Sequence, residues 1–334
     1  MRCIGFGRGL PRLIVSVKGV AEQLREGFEL LVTPIIEEAI ADRLARDRIH
    51  DSLLATSIKL SFLMRGYASM ANVRFRIDVS VLGSAIARLY DDLLDEIGAP
   101  GVGPRLGLLF RDETFVPEDA AEDLFGRLYR EAERRMARSR SDAVYLSLAK
   151  LHEYQIRSGQ QKDHAISDED LWEITAGKGG HGLAVLFCMM RPAMGEAERG
   201  LILELGGALQ LLDDYQDVAL DQLSGICTEA TRASVELSDV VARLKLSGRN
   251  LAEFYGRGHA RTFMAVVYAT LWISFLRRRL PQVGTRSPGQ LARMPKRASA
   301  LNVLVIPGDN LVQTASQRRL ADAEDQRRGD LDRV

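Results

Sequence analysis

Two runs of carboxylates stand out by residue type and spacing. Asp91-Asp92-Leu93-Leu94-Asp95 sits at the end of the stretch ARLYDDLLDEIG, and Asp91 and Asp95, four residues apart, share one helix face. Residues 206–221 read GGALQLLDDYQDVALD, in which Asp213, Asp217 and Asp221 recur every fourth residue with Gln210 and Asp214 on the same flank. Like charges so placed repel unless a cation compensates them. Hard divalent cations, held by carboxylate oxygens and bridging to phosphates, are the natural solution. A solvated acidic helix face is the alternative for either run alone, and two such runs on separate helices weaken it. Between them, ITAGKGGHG sets Lys178 and His181 among Gly177, Gly179, Gly180 and Gly182. Such breakage inside a helical run often marks a functional kink, and Lys178 is placed to offer a point charge to a phosphate. For His181 a packed or capping role is expected.

These side chains need helices to carry them. Apolar residues make up 46% of the 334 and recur with a period near 3.6, while strand-like alternation is scarce, so the fold class is all-α. The pattern predicts helices near 18–47, 51–72, 76–97, 118–138, 141–158, 168–190, 196–221, 231–247 and 259–280. GAPGVGPR, from Gly98 to Arg105, reads as a loop. Pro117-Glu118-Asp119 and Ser167-Asp168-Glu169-Asp170 read as helix starts. Gly83, Ser84, Ile86 and Ala87, mostly small residues before the first acidic run, look like the wall of a deep pocket, and a C15 to C20 substrate is the expectation drawn from them. Residues 1–284 are expected to form one helical domain. Beyond them, prolines, arginines and serines accumulate, and 285–334 reads as a basic, weakly ordered tail.

Lysine plus arginine and aspartate plus glutamate both number 45, a balance that argues against nucleic acid as a partner. Cys3, Cys188 and Cys227 are odd in number and widely spaced, which speaks against a disulfide framework or zinc site. The N-terminus lacks the apolar stretch of a signal peptide, and a cytoplasmic setting is expected. The longest mostly apolar run, Phe263 to Leu276, is too short to span a bilayer and reads as a buried helix, with interfacial membrane contact as the alternative.

On these motifs the chain resembles the trans-type polyprenyl diphosphate synthases of the class I isoprenoid synthase fold, over roughly residues 50–225. In that family a DDxxD helix faces a second one, FQxxDDxxD, across a cavity; DDLLD at 91–95 and LQLLDDYQD at 209–217 are similar to them. The family's GQxxD is matched at Gly159, Gln160 and Asp163, and its lysine at Lys178, with Gly179 in place of threonine. The resemblance implies about three Mg²⁺ ions held by Asp91, Asp92, Asp95, Asp213, Asp214, Asp217 and Asp221. It also implies an allylic prenyl diphosphate as substrate, charge stabilisation by Lys178 with Arg88, Gln210 in the site, and a possible homodimer.

The sequence departs from the family where the homoallylic co-substrate binds. Of GGKRxRP only Lys59 in SIKLSF is left, the arginine pair after the first acidic run is missing, and SGICTEA replaces the lysine-glycine segment after the second. A terpene-synthase-type outcome, cyclisation or elimination with diphosphate release, is therefore expected. Terpene cyclases share the fold and place acceptors at i, i+4 and i+8, as Asp213, Asp217 and Asp221 do. Chain elongation with isopentenyl diphosphate is the alternative, and a non-catalytic partner subunit of a prenyl synthase a further one.

Overall fold

A computed structural model describes residues 10–94 and 101–279, and the regular structure among these is helical, with no strand. The helices are α1 Leu10–Leu31, α2 Thr33–Ala39, α3 Arg43–Met70, α4 Ile77–Asp92, α5 Val102–Phe110, α6 Ala120–Met136, α7 Ala143–Arg157, α8 Asp168–Met190, α9 Glu196–Leu223, α10 Leu237–Tyr255 and α11 Arg257–Arg279. Asp95 and the expected tail at 285–334 lie outside the described residues.

Local chemistry sets most boundaries. Asp119 accepts hydrogen bonds from the Ala121 and Glu122 amides at 2.9 and 2.8 Å, and the Ser167 hydroxyl accepts one from the Asp170 amide at 3.0 Å. Both satisfy amides that an α-helix start leaves without partners. The helix expected over 18–47 is instead three. Pro34 opens α2 in its first turn, where a missing amide hydrogen is harmless, and Asp42 caps α3 by accepting from the Ala45 amide at 2.7 Å. GAPGVGPR ends as a helix, not a loop: Gly101 takes φ 96° and Pro104 falls in the first turn of α5. Conversely, 231–236 is not helical. Ala233 is left-handed there, and α10 starts only at Leu237 behind a capping box of Glu236 and Asp239.

The helices close on themselves. α3 packs on α4, α4 on α6 and α8, α8 on α7 and α9, α9 on α10, α10 on α11, and α11 back on α3. α3 is buried on nearly every side from Ser52 to Met64 because α1, α2, α4, α8 and α11 surround it. The Phe263 run belongs to this closure: Phe263, Met264 and Val267 of α11 are buried. No helix among the described residues is long and apolar enough to cross a membrane.

The glycines of ITAGKGGHG do not break α8, which runs unbroken for 23 residues. They let α9 come close. A Cβ on Gly206 would stand 2.7 Å from Gly180 Cα and overlap the Gly179 carbonyl, and one on Gly180 would stand 2.9 Å from the Leu203 carbonyl oxygen. Gly177 receives the Tyr154 ring from α7 in the same way. The expected kink is thus a three-helix contact at backbone distance, for which only glycine has room.

Candidate active site

The ring of helices encloses a cavity of about 260 Å³. α8 and α9 are antiparallel, Thr175 lying against Asp214 and Gly180 against Leu203, so the second acidic run and the first half of α8 meet at one end. Asp91 and Asp92 arrive at that end from α4, and all six described aspartates line the cavity: Asp91, Asp92, Asp213, Asp214, Asp217 and Asp221. At the opposite end lie Met136, Val144, Tyr145 and Met189. There Arg138 ties the end of α6 to α8 by donating to the Cys188 and Met189 carbonyls. Between the ends the walls are apolar, with Ala87, Phe110, Phe125, Leu148, Leu183 and Leu186.

The carboxylates sit in different surroundings. Asp91 is exposed at the lip. Asp92 is ion-paired with Arg88, one turn back on α4, at 2.8 Å. Asp214 is held from two helices: Thr175 Oγ1 donates to it at 3.0 Å and Gln210 Nε2 at 2.9 Å. Burial pushes its carboxyl upward, against the pull of Gln210, Lys178 and Thr175. Asp221 is pushed up to about 7 by burial and by the charges of Asp214 and Asp217, which Lys178 only partly offsets.

Lys178 is half-buried on α8 and lines the cavity with Arg88 and Gln210. His181, one turn on, faces away: its ring stacks on Tyr154 at 5.8 Å, and burial lowers its pKa. Ser84 also faces away, its hydroxyl 3.7 Å from Met64 Sδ on α3, so Gly83 and Ala87 form the small wall without it. Gln160, matched to the family's glutamine, is exposed in the 3₁₀ turn after α7. Its neighbour Gln161 is buried, lines the cavity and donates to the Cys227 carbonyl at 3.1 Å.

Lys59 is the residue the motifs undersold. It is 2% exposed, lines the cavity from α3, and stands within the field of Asp213, Arg88 and Asp91, with burial driving its pKa well below the ordinary lysine value. A lysine inside the buried stretch LLATSIKLSFLM was the available signal. Thr175 and Gln155, also buried at the site, had none.

The described lining sets six carboxyl side chains against the basic side chains of Lys59, Arg88 and Lys178. Among the described residues no three ligating side chains cluster tightly enough to enclose an ion by themselves. Mg²⁺ keeps several waters and is held through one or two carboxylates plus substrate phosphates. The all-oxygen donor set and the crowding that drives Asp221 upward fit such ions.

Fold and site together define an all-helical protein that gathers carboxylates from two distant stretches of chain at one end of an apolar cavity. No family model and no curated protein matches the chain. Among solved structures, an apo FPP/GFPP synthase from Zymomonas mobilis aligns with it at 13% identity and a TM-score of 0.42, covering 74% of this chain and 97% of that one.

Proposed function

We propose that this chain is a class I isoprenoid synthase, a Mg²⁺-dependent enzyme that ionises an allylic prenyl diphosphate and releases diphosphate in a terpene-synthase-type cyclisation or elimination. The observation that carries the reading is that aspartates of α4 and α9 meet at one end of a cavity whose remaining walls are mostly apolar. Asp91, Asp92, Asp213, Asp214, Asp217 and Asp221 are the residues that hold the ions, with Asp95 as the third member of the first run. Bound Mg²⁺ supplies charge neutralisation and Lewis acidity to the leaving group. Thr175 and Gln210 fix the orientation of Asp214, and Arg88 that of Asp92. Lys178 adds a positive charge where the diphosphate departs. Below the rim, the apolar walls exclude water from the isoprenoid and bend it toward its product.

One observation favours chain elongation as the second reading. Lys59 and Arg88 put two buried basic side chains on the α3–α4 wall, closer to a second diphosphate cradle than the sequence motifs alone imply.

The test is incubation with C10, C15 and C20 diphosphates and Mg²⁺, each with and without isopentenyl diphosphate. The proposal expects diphosphate with hydrocarbons or alcohols, independent of the co-substrate. Longer prenyl diphosphates formed only with the co-substrate would select the second reading. Asp91→Ala and Asp213→Ala should each lose about a thousandfold in rate, roughly 4 kcal/mol of transition-state stabilisation. A wild-type chain that releases no diphosphate from any of the three would refute both readings.

A further inference from the structure

The cavity wall turns polar where the loop after α9 meets the 3₁₀ turn after α7. Gln161 of the turn and Thr228 of the loop line it there, 7% and 2% exposed. This is the acidic end: Ile226, one residue before Cys227, donates its amide to the Asp221 carbonyl at 2.9 Å. Gln161 is pinned to the loop at two points. Its backbone carbonyl accepts from the Cys227 amide at 2.6 Å, and its Nε2 donates to the Cys227 carbonyl at 3.1 Å. A carbonyl oxygen only accepts, so the side-chain nitrogen must face Cys227 and Oε1 must point to the other side. Among the described residues nothing donates to that Oε1. The Thr228 hydroxyl is engaged by contrast, accepting from the Thr231 amide at 3.1 Å. A buried carbonyl oxygen without a donor is costly. In a cavity wall the missing donor is a water or a ligand hydroxyl. An ionised diphosphate cannot supply it, because its own oxygens accept.

We propose that Gln161 is a catalytic residue that holds a water at the acidic end of the cavity, and that this water captures the allylic cation to give a prenyl alcohol. The proposal rests on the reading that the chain ionises an allylic diphosphate, and it deepens that reading by naming a product class. The allylic C–O bond breaks, and its electron pair leaves with the diphosphate. One O–H of the water donates to Gln161 Oε1, which turns an oxygen lone pair toward the cation. That lone pair forms the new C–O bond, and the proton then shed by the oxygen joins a diphosphate oxygen. Prenyl diphosphate and water thus become prenyl alcohol and a diphosphate carrying one more proton, while the Gln161 amide neither gains nor loses one. The charge of an allylic cation is shared by two carbons, and both lie near the departing diphosphate at the start. A water held at this end reaches them there, before the charge moves down between the apolar walls. The alcohol oxygen therefore sits on one of those two carbons.

The experiment uses the full chain with Mg²⁺ and the three allylic diphosphates in oxygen-labelled water, measuring diphosphate release and the alcohol formed per diphosphate released. The label should enter the alcohol and not the diphosphate, because the carbon–oxygen bond is the one that breaks. Gln161→Met keeps the length of the side chain without the acceptor, and its alcohol per diphosphate should fall about tenfold in favour of alkenes. Gln161→Glu keeps an acceptor oxygen but cannot donate to the Cys227 carbonyl. It should hold the alcohol yield near that of wild type, whereas a purely structural role for the bond to Cys227 makes the two variants fail alike. If Gln161→Met melts without cooperativity, Gln161→Glu alone decides: alcohol retained supports the proposal, and alcohol lost overturns it. An unchanged alcohol yield in Gln161→Met, or equal losses in both variants, overturns the proposal. So does weaker Mg²⁺ binding by Gln161→Met in titration calorimetry, which would put Oε1 on a metal ion. Wild-type products free of alcohol overturn it while leaving the ionisation reading intact. Label in the diphosphate instead of the alcohol, or no diphosphate release from the wild type, removes that reading and the proposal with it.

Discussion

Replacing Gly206 by alanine tests the claim that α8 and α9 meet at backbone distance. In an ordinary exposed helix this change stabilises by about 1 kcal/mol. Here the added Cβ would stand 2.7 Å from Gly180 Cα, with Gly179 backbone atoms equally close. Carbon atoms rest at about 3.5–4.0 Å, so the helices must part by about 1 Å. No flexible side chain can absorb the movement, because the opposing atoms are backbone. Overpacking of this kind costs about 1–3 kcal/mol. The same parting stretches the Thr175–Asp214 bond, now 3.0 Å, beyond hydrogen-bonding range, for about a further 1.5–3 kcal/mol at a charged acceptor. The net effect is a loss of about 3 kcal/mol. At about 2–4 °C per kcal/mol for a chain of this size, the midpoint of thermal unfolding drops by roughly 6–12 °C. Gly200→Ala is the control: it lies in the same helix with nothing within 4 Å of its added Cβ, and should raise the midpoint slightly. Calorimetry of the two variants decides the matter. Equal midpoints for Gly206→Ala and Gly200→Ala would refute the close approach, and with it the explanation of the glycine cluster.

Three further outcomes follow from other parts of the molecule. Glu198 is buried and accepts from Tyr67 at 2.6 Å and from Tyr255, and pairs with Arg191 at 2.9 Å, so Glu198→Ala strands several polar groups; urea unfolding should show a loss of about 3 kcal/mol or more. The hydrogen bond from Arg105 holds the Glu122 carboxyl below its usual range, against burial. The unfolded chain therefore takes up a proton there more readily, and the stabilisation is full above about pH 4.3 and lost as pH falls toward the folded value. The gap in melting temperature between wild type and Glu122→Gln should accordingly shrink between pH 5 and pH 3, and a constant gap would count against the pair. Lys59 shares the field of Asp213 and Asp91 while burial disfavours its charge, and Lys59→Met takes its amine from among the carboxylates proposed to hold metal. Mg²⁺ binding should tighten, read by titration calorimetry; unchanged affinity would separate Lys59 from the metal-facing groups.

What was legible in the sequence was whatever one helix decides alone. Asp213, Asp217 and Asp221 declare a shared stripe by spacing, and Ser167 and Asp119 declare helix starts by satisfying their own amides, so these expectations needed no partner helix. What escaped depended on a neighbour. The glycines around Lys178 are a helix weakness until α9 arrives against them, when they become the contact itself. Gln160 and Gln161 are indistinguishable by type, and only the 3₁₀ turn after α7 selects which of them enters the cavity. Ser84 and Ala87 are both small and both near the acidic run, yet the crossing of α3 over α4 claims one and leaves the other to the pocket. Lys59 is the sharpest instance. Judged against a basic motif it was a remnant. Judged by position it is an amine wholly inside the protein, where burial disfavours the charge and opposite charges restore part of it. Asp91 and Asp213 act on it from two other helices. The residue that stands out from its apolar surroundings in the sequence is thus one that the fold sets in the cavity wall.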